Sequence, residues 1–211
     1  MLDRAISWLW RPQCAACTEP TDDPLCETCA GTLVEASEIS HVRAAPLARV
    51  IAPWRYGGQL ASAIRRLKFT GATHVARTLA PLWAPVLAAA VAETDGVVVP
   101  VPLHWRRRWQ RGFDQAWLLA THACRAGGVA SPVIALRRDR AAAAQSTLSA
   151  AERAANLDDA FSVRDARRVE GRAIILVDDV TTTGATLAAA AEPLLRAGAA
   201  TILGVTLART E

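Results

Sequence analysis

The chain reads as an α/β protein, a parallel twisted sheet flanked by helices, with a small cysteine-bearing segment in front. Three observations predict this. Short apolar runs such as "GVVVPVP" and "AIILVDD" alternate with longer stretches at helical spacing. Hydrophobic residues make up 52% of the 211 positions, enough for the core of one compact domain with an accessory piece. Four of the five cysteines crowd into "CAACTEPTDDPLCETC", ahead of the alternating region.

The elements follow in order. Residues 2 to 10 read as a short helix, and the second cysteine pair as the start of another. "HVRAAPLARVIAPWRY" reads as two short strands, arranged as a hairpin. Gly57 and Gly58 then break the chain, and "QLASAIRRLKF" has helical spacing. "HVARTLAPLWAPVLAAAVAE" is an apolar helix that Pro81 and Pro85 kink or split. "GVVVPVP" is a buried-type strand, and "GFDQAWLLATHACRAGG" a helix closed by Gly127 and Gly128. "PVIAL" reads as a strand, followed by a polar stretch from Arg137 to about Asp159. "AIILVDD" is the most β-like run, "ATLAAAAEPLLRAG" a helix closed by Gly198, and "TILGVTLA" the last strand.

The cysteines Cys14, Cys17, Cys26 and Cys29 form two Cys-x-x-Cys knuckles separated by eight residues. Each knuckle can aim two thiolates at one ion, and two knuckles complete the tetrahedral sulfur site that zinc favours. Two disulfides are the alternative, but they need an oxidising compartment and nothing in the sequence points to export. "MLDRAISWLW" is too short and mixed for a secretory signal, and no apolar run reaches membrane-spanning length. The expectation is a soluble, cytoplasmic chain without membrane insertion. A net charge of +4 leans toward anionic partners. Lys68 is the only lysine, so the basic charge is otherwise arginine.

"ILVDDVTTTGATL", Ile175 to Leu187, combines features that conflict if they meet the same group. Acids repel phosphate, whereas a Thr/Gly turn opening a helix attracts it through free N–H groups and the helix dipole. A ligand with a phosphate at one end and a diol at the other resolves the conflict. Asp178 and Asp179 then accept from sugar hydroxyls or help hold Mg²⁺, and the turn holds the phosphate. Ribose 5-phosphate is such a ligand. A P-loop is excluded, since its Gly-Lys-Ser/Thr ending is absent.

This segment resembles the 5-phosphoribosyl-1-pyrophosphate (PRPP) motif of type I phosphoribosyltransferases. The whole chain resembles the ComF family of competence proteins. Its matching segments are the double Cys-x-x-Cys, "RYGGQLASAIRRLKFTG", "VVVPVPLHWRRRWQRGFDQAWLLA", "QSTLSAAERAANLDDAF" and the PRPP motif. Two departures stand out: Asp114 where the family usually has asparagine, and Thr181 where an apolar or aromatic residue is common.

The resemblance implies a type I phosphoribosyltransferase-like domain over 39–211 behind a helix and zinc segment over 1–38. It gives Asp178 and Asp179 the ribose hydroxyls as catalytic and PRPP-binding residues. Thr181, Thr182, Thr183, Gly184, Ala185 and Thr186 take the 5-phosphate, and Val180 counts among the PRPP-binding residues. Arg106, Arg107, Arg108 and Arg111 are candidates for the pyrophosphate, and residues 137–159 for a loop closing over PRPP. Mg²⁺ would accompany PRPP, and no segment declares the acceptor; the zinc segment and residues 40–60 are its candidates.

Three functions stay open: a phosphoribosyltransferase, a PRPP-binding regulator without turnover, and a single-stranded-DNA-handling protein that has kept the fold. The family's link to DNA uptake adds competence machinery as a possible class of partner. In the third reading, the Trp105 and Trp109 rings flanking the arginines stack bases; in the alternative both tryptophans pack inward.

Overall fold

The computed structural model describes residues 12–36, 46–139 and 160–210. Its strands are β1 (Arg49–Ile51), β2 (Trp54–Arg55), β3 (Val97–Pro100), β4 (Leu136–Arg138), β5 (Phe161–Val163), β6 (Ala173–Thr181) and β7 (Thr201–Arg209). Its α-helices are α1 (Glu27–Ala30), α2 (Gly58–Phe69), α3 (His74–Leu79), α4 (Ala84–Thr94), α5 (Trp105–Arg111), α6 (Gln115–Ala126) and α7 (Ala185–Arg196). The expected helix over residues 2 to 10 lies outside the described residues.

The main sheet runs β1–β7–β6–β3, with β2 also pairing β7, and every pair in it is parallel. This is the expected parallel α/β architecture. Alternating residues of β6 divide the core. Ile175 and Val177 join the cluster built with α2, α3, α4 and α6, while Ile174 and Leu176 join the one built with α7, β4 and β5. All four are fully buried. At mid-strand, a Cβ on Gly204 of β7 would stand 3.1 Å from the Val50 side chain and 3.2 Å from that of Leu187, so any larger residue needs both to give by a few tenths of an ångström.

Three expectations are corrected. The first two strands form no hairpin, because both run parallel to β7, Arg49 to Ile51 opposite Leu203 to Val205 and Trp54 opposite Ala208. They are one strand interrupted at Pro53, which has no N–H for the ladder, and residues 34–36 meet its second part antiparallel through Arg55 N–H to Val34 (2.8 Å) and Ala36 N–H to Pro53 (3.0 Å). "PVIAL" is not a strand of the main sheet. Val133 donates once to Val98 (2.8 Å), and regular pairing begins only at Leu136, antiparallel to β5. The polar stretch thus begins as strand, and β5 was not expected; residues 140–159 lie outside the described residues. Finally "WRRRWQR", read only as a basic run with no element assigned, is a helix. The His104 ring accepts from the Arg106 N–H at 3.3 Å, and Gly112, at φ 80°, closes the far end.

The proline-bearing helix does split. α3 passes through a 3₁₀ turn at Ala80–Leu82 into α4, bent by 64°. Among the described residues no single helix is long and apolar enough to cross a membrane, though this bent pair passes by length and composition. Its buried residues Val75, Leu79, Trp83 and Leu87 pack into the protein core. Cys14, Leu25 and Cys29 of the cysteine segment belong to the same core cluster.

Candidate functional site

The alternation of β6 decides where its acids go. Asp178 continues the face of Ile174 and Leu176; Asp179 continues the face of Ile175 and Val177. On that second face α2 ends, and its Lys68 Nζ lies 2.9 Å from Asp179 Oδ1. Asp179 is only 3% exposed, and its Oδ2 is buried without a hydrogen-bond partner. Asp178 is half-buried and accepts the Asp179 N–H at 2.8 Å. Burial first, and then the Asp179 charge, push its carboxyl up to about 8, against the pull of that N–H and of Lys68. Two carboxylates following five apolar residues are thus balanced by one nearby lysine.

The turn after the acids has the expected form. Thr181 ends β6 buried, Val180 is half-buried, and Thr182 and Thr183 are exposed. Gly184 takes φ 79°, a left-handed conformation that a side chain strains, and its carbonyl accepts from the Ala188 N–H at 2.8 Å. Thr183 Oγ1 accepts from the Ala185 N–H at 3.4 Å. The other N–H groups of the first turn, Thr186 among them, have no partner within the helix. A twelve-residue helix therefore begins, positive end first, at the turn that follows the acids.

The arginines of α5 do not converge. Arg107 and Arg111 line a cavity of about 600 Å³ together with Lys68. Arg108 lines a separate cavity of about 380 Å³, with Arg137, Arg138 and Arg164. Arg106 lies over the Trp105 ring at 5.2 Å. Trp105 and Trp109 are 61% and 84% exposed, which excludes inward packing of both rings. His104 is buried, and burial plus Arg138, Arg106 and Arg107 hold its pKa below the usual imidazole value, favouring the neutral ring that caps α5.

The cysteines do converge. The sulfurs of Cys14, Cys17, Cys26 and Cys29 all lie within 4.8 Å of one another, with Cys17 and Cys26 at 3.6 Å. Tetrahedral zinc with Zn–S near 2.3 Å needs sulfurs about 3.8 Å apart, so this cluster fits a divalent ion. Burial and the neighbouring thiols push Cys29 well up, while N–H groups of Cys17, Cys26 and Ala16 outweigh burial at Cys14 and bring it to about 6. Arg66 of α2 donates to the carbonyls of Ala15 (2.7 Å) and Cys14 (3.3 Å), fixing the first knuckle to the same helix that carries Lys68.

Comparison with known proteins agrees with this geometry. Residues 126–210, from the end of α6 through β7, match the phosphoribosyl transferase domain. The chain is 36% identical to the DNA utilization protein YhgH of Shigella flexneri, over 93% of this chain and 90% of that one. It is 32% identical to the competence protein ComFC of Bacillus subtilis, over 74% of this chain and 62% of that one. It is also 35% identical to competence protein F of Haemophilus influenzae, over 59% and 56%.

The chain belongs to the ComF family. Its departure from the ComF asparagine now has a physical reading. Asp114 Oδ2 accepts from the Leu103 N–H (2.8 Å) and Oδ1 from the Trp117 N–H (3.2 Å), clasping the chain on both sides of α5. An asparagine has one acceptor oxygen for these two donors. Burial raises the Asp114 pKa against the pull of the same two N–H groups.

Sequence reasoning missed the role of Lys68, of its neighbour Phe69, and of Arg138, whose charge is felt across the site by Asp178. A lone lysine in an arginine-rich chain was the available signal for the first.

The Asp178 shift gives a testable sign. Its folded pKa of about 8 exceeds the unfolded value of about 3.9, so its favourable contribution to stability is full below pH 4 and is lost as pH rises toward 8. Asp178→Asn keeps the acceptor for the Asp179 N–H but cannot ionise. The melting temperature of ligand-free Asp178→Asn, relative to the parent, is expected to climb between pH 5 and about pH 8 and to level off above it. A flat difference over that range contradicts the placement of this acid.

Proposed function

We propose that the protein is a PRPP-binding phosphoribosyltransferase-like protein. The observation that carries this reading is the order along one chain of a buried acid pair, an exposed threonine turn and the free N-terminus of α7. The 5-phosphate takes the backbone N–H groups and hydroxyls of Thr181 to Thr186. The ribose hydroxyls donate to Asp178 and Asp179, whose unpartnered Oδ2 is an acceptor lacking a donor. That orphaned oxygen also suits Mg²⁺, which supplies charge neutralisation to the leaving pyrophosphate. Arg107, which lines the larger cavity, would take pyrophosphate oxygens in bidentate fashion. Transfer then consists of loss of pyrophosphate from ribose C1, the negative charge that builds on the leaving group being met by the guanidinium group. The cysteine cluster is read as a structural zinc site, consistent with its four-sulfur donor set.

A second reading, single-strand binding along α5, is favoured by one observation. Two large rings lie in solvent beside three exposed arginines, Arg106, Arg107 and Arg108. Bases stack on such rings while guanidinium groups neutralise phosphates. The names of the relatives, a DNA utilization protein and competence proteins, point the same way.

Three measurements test these readings. Calorimetry with PRPP and Mg²⁺ is expected to show binding that Asp178→Asn plus Asp179→Asn weakens at least tenfold and Gly184→Val abolishes, with the fold retained. Equal affinity in the double Asp variant would show the site to be elsewhere. Elemental analysis of reduced, untagged protein should find about one zinc per chain. Because the segment shares the core of α2 to α4, Cys14→Ser should lower the melting temperature of the whole chain. Zinc-free native protein would exclude the metal site. For single strands, three neutralised phosphates give a log–log salt slope of about −2.1, roughly a twentyfold loss of affinity from 50 to 200 mM salt. Trp109→Ala should cost about 1–3 kcal/mol of that binding; no binding at low salt leaves only the PRPP reading.

A further inference from the structure

The larger cavity contains more than pyrophosphate chemistry needs. It encloses about 600 Å³ between the end of α2 and α5, in the size range of small-molecule sites. Its cations are Lys68, Arg107 and Arg111, but Phe69 and Phe113 line it too, and Gln110 adds an amide. Phe69 is 73% exposed at the helix end. One side of its ring carries the Arg111 guanidinium at 5.2 Å. The rest of the ring is open to a flat group, which neither pyrophosphate nor a ribose supplies. Lys68 also joins the cavity to the acid pair, since it lines the one and touches Asp179 of the other at 2.9 Å. A second cavity, of about 220 Å³, lies in the region first expected to choose the acceptor, between Thr32–Val34 and Arg55–Gly58. It has a single cation, Arg55, among its lining residues, and Lys68 is not one of them.

We propose that the larger cavity is the acceptor subsite, and that it takes a planar nitrogen-containing aromatic ring carrying one carboxylate. The ring lies against Phe69 and Phe113. Its carboxylate accepts from Arg111, the guanidinium that lies over the Phe69 ring, while Arg107 is left to the pyrophosphate, and its nitrogen is directed toward the ribose. The Arg111 guanidinium provides charge-assisted bonds that a neutral amide cannot match. This inference rests on the PRPP reading. In the transfer it implies, the ring nitrogen's lone pair forms the new C1–N bond. The C1–O bond breaks with its electron pair leaving on pyrophosphate, and the ring N–H proton, where present, passes to solvent.

The test is titration of the full chain with pyridine and pyrimidine monocarboxylates, their carboxamides, inorganic pyrophosphate, and PRPP with Mg²⁺. A carboxylate is expected to bind at least tenfold tighter than its carboxamide. Phe69→Leu should weaken the carboxylate about tenfold and leave pyrophosphate and PRPP affinities unchanged. Arg111→Gln should weaken the carboxylate about tenfold, and Arg107→Gln should weaken pyrophosphate. If PRPP binds and no ring carboxylate does, the acceptor assignment is wrong while the PRPP reading stands. Equal binding of carboxamide and carboxylate, or indifference to Phe69→Leu, also overturns the assignment. Ring binding without any PRPP binding contradicts the PRPP reading itself, and the acceptor role with it.

Discussion

The ion pair between Lys68 and Asp179 is the constraint around which this molecule is arranged. β6 leaves the middle of the core and at once carries two carboxylates. A buried carboxylate is costly unless it is paired or protonated. This strand uses both remedies: Asp179 takes the lysine, and Asp178 retains a proton up to about pH 8. The arrangement is expensive for stability and useful for binding, as expected of a site whose charges await a ligand.

The helix supplying that lysine has a second duty. α2 starts at the Gly57–Gly58 break, sends Arg66 to the carbonyls of the first cysteine knuckle, and ends with Lys68 and Phe69 at the site. Arg66 and Lys68 are two residues apart, so they leave the helix in different directions. The cysteine segment and the acid pair are therefore tied to the same few residues. Asp114 plays the matching role across the cavity, holding both flanks of α5.

Much of this was legible in the sequence, for identifiable reasons. The parallel sheet followed from buried runs alternating with helical periodicity. The turn at Gly184 followed from residue types with few alternative uses, and the cysteine cluster from its spacing. What failed was tertiary. The reversal expected near Pro53 was absent because β1 and β2 both pair with β7, a long-range contact that local pattern does not carry. Helix α5 was hidden because its cap is a histidine ring rather than a common capping residue. The separation of the arginines between two cavities depends on rotation about a seven-residue helix, and a basic run in one dimension cannot reveal it. Only the structure brings Lys68 within reach of an acid 111 positions later (179 − 68).

The most direct test of this account is a double-mutant cycle on ligand-free protein in urea. Lys68→Met leaves a buried carboxylate unpaired, and Asp179→Asn leaves a half-buried lysine without its acid. Each single change is predicted to destabilise the fold, with Lys68→Met the worse. The double variant is predicted to be more stable than the sum of the two losses allows, by about 1 kcal/mol or more. Strictly additive losses would mean that Lys68 and Asp179 do not depend on each other, and the account of the site would fail.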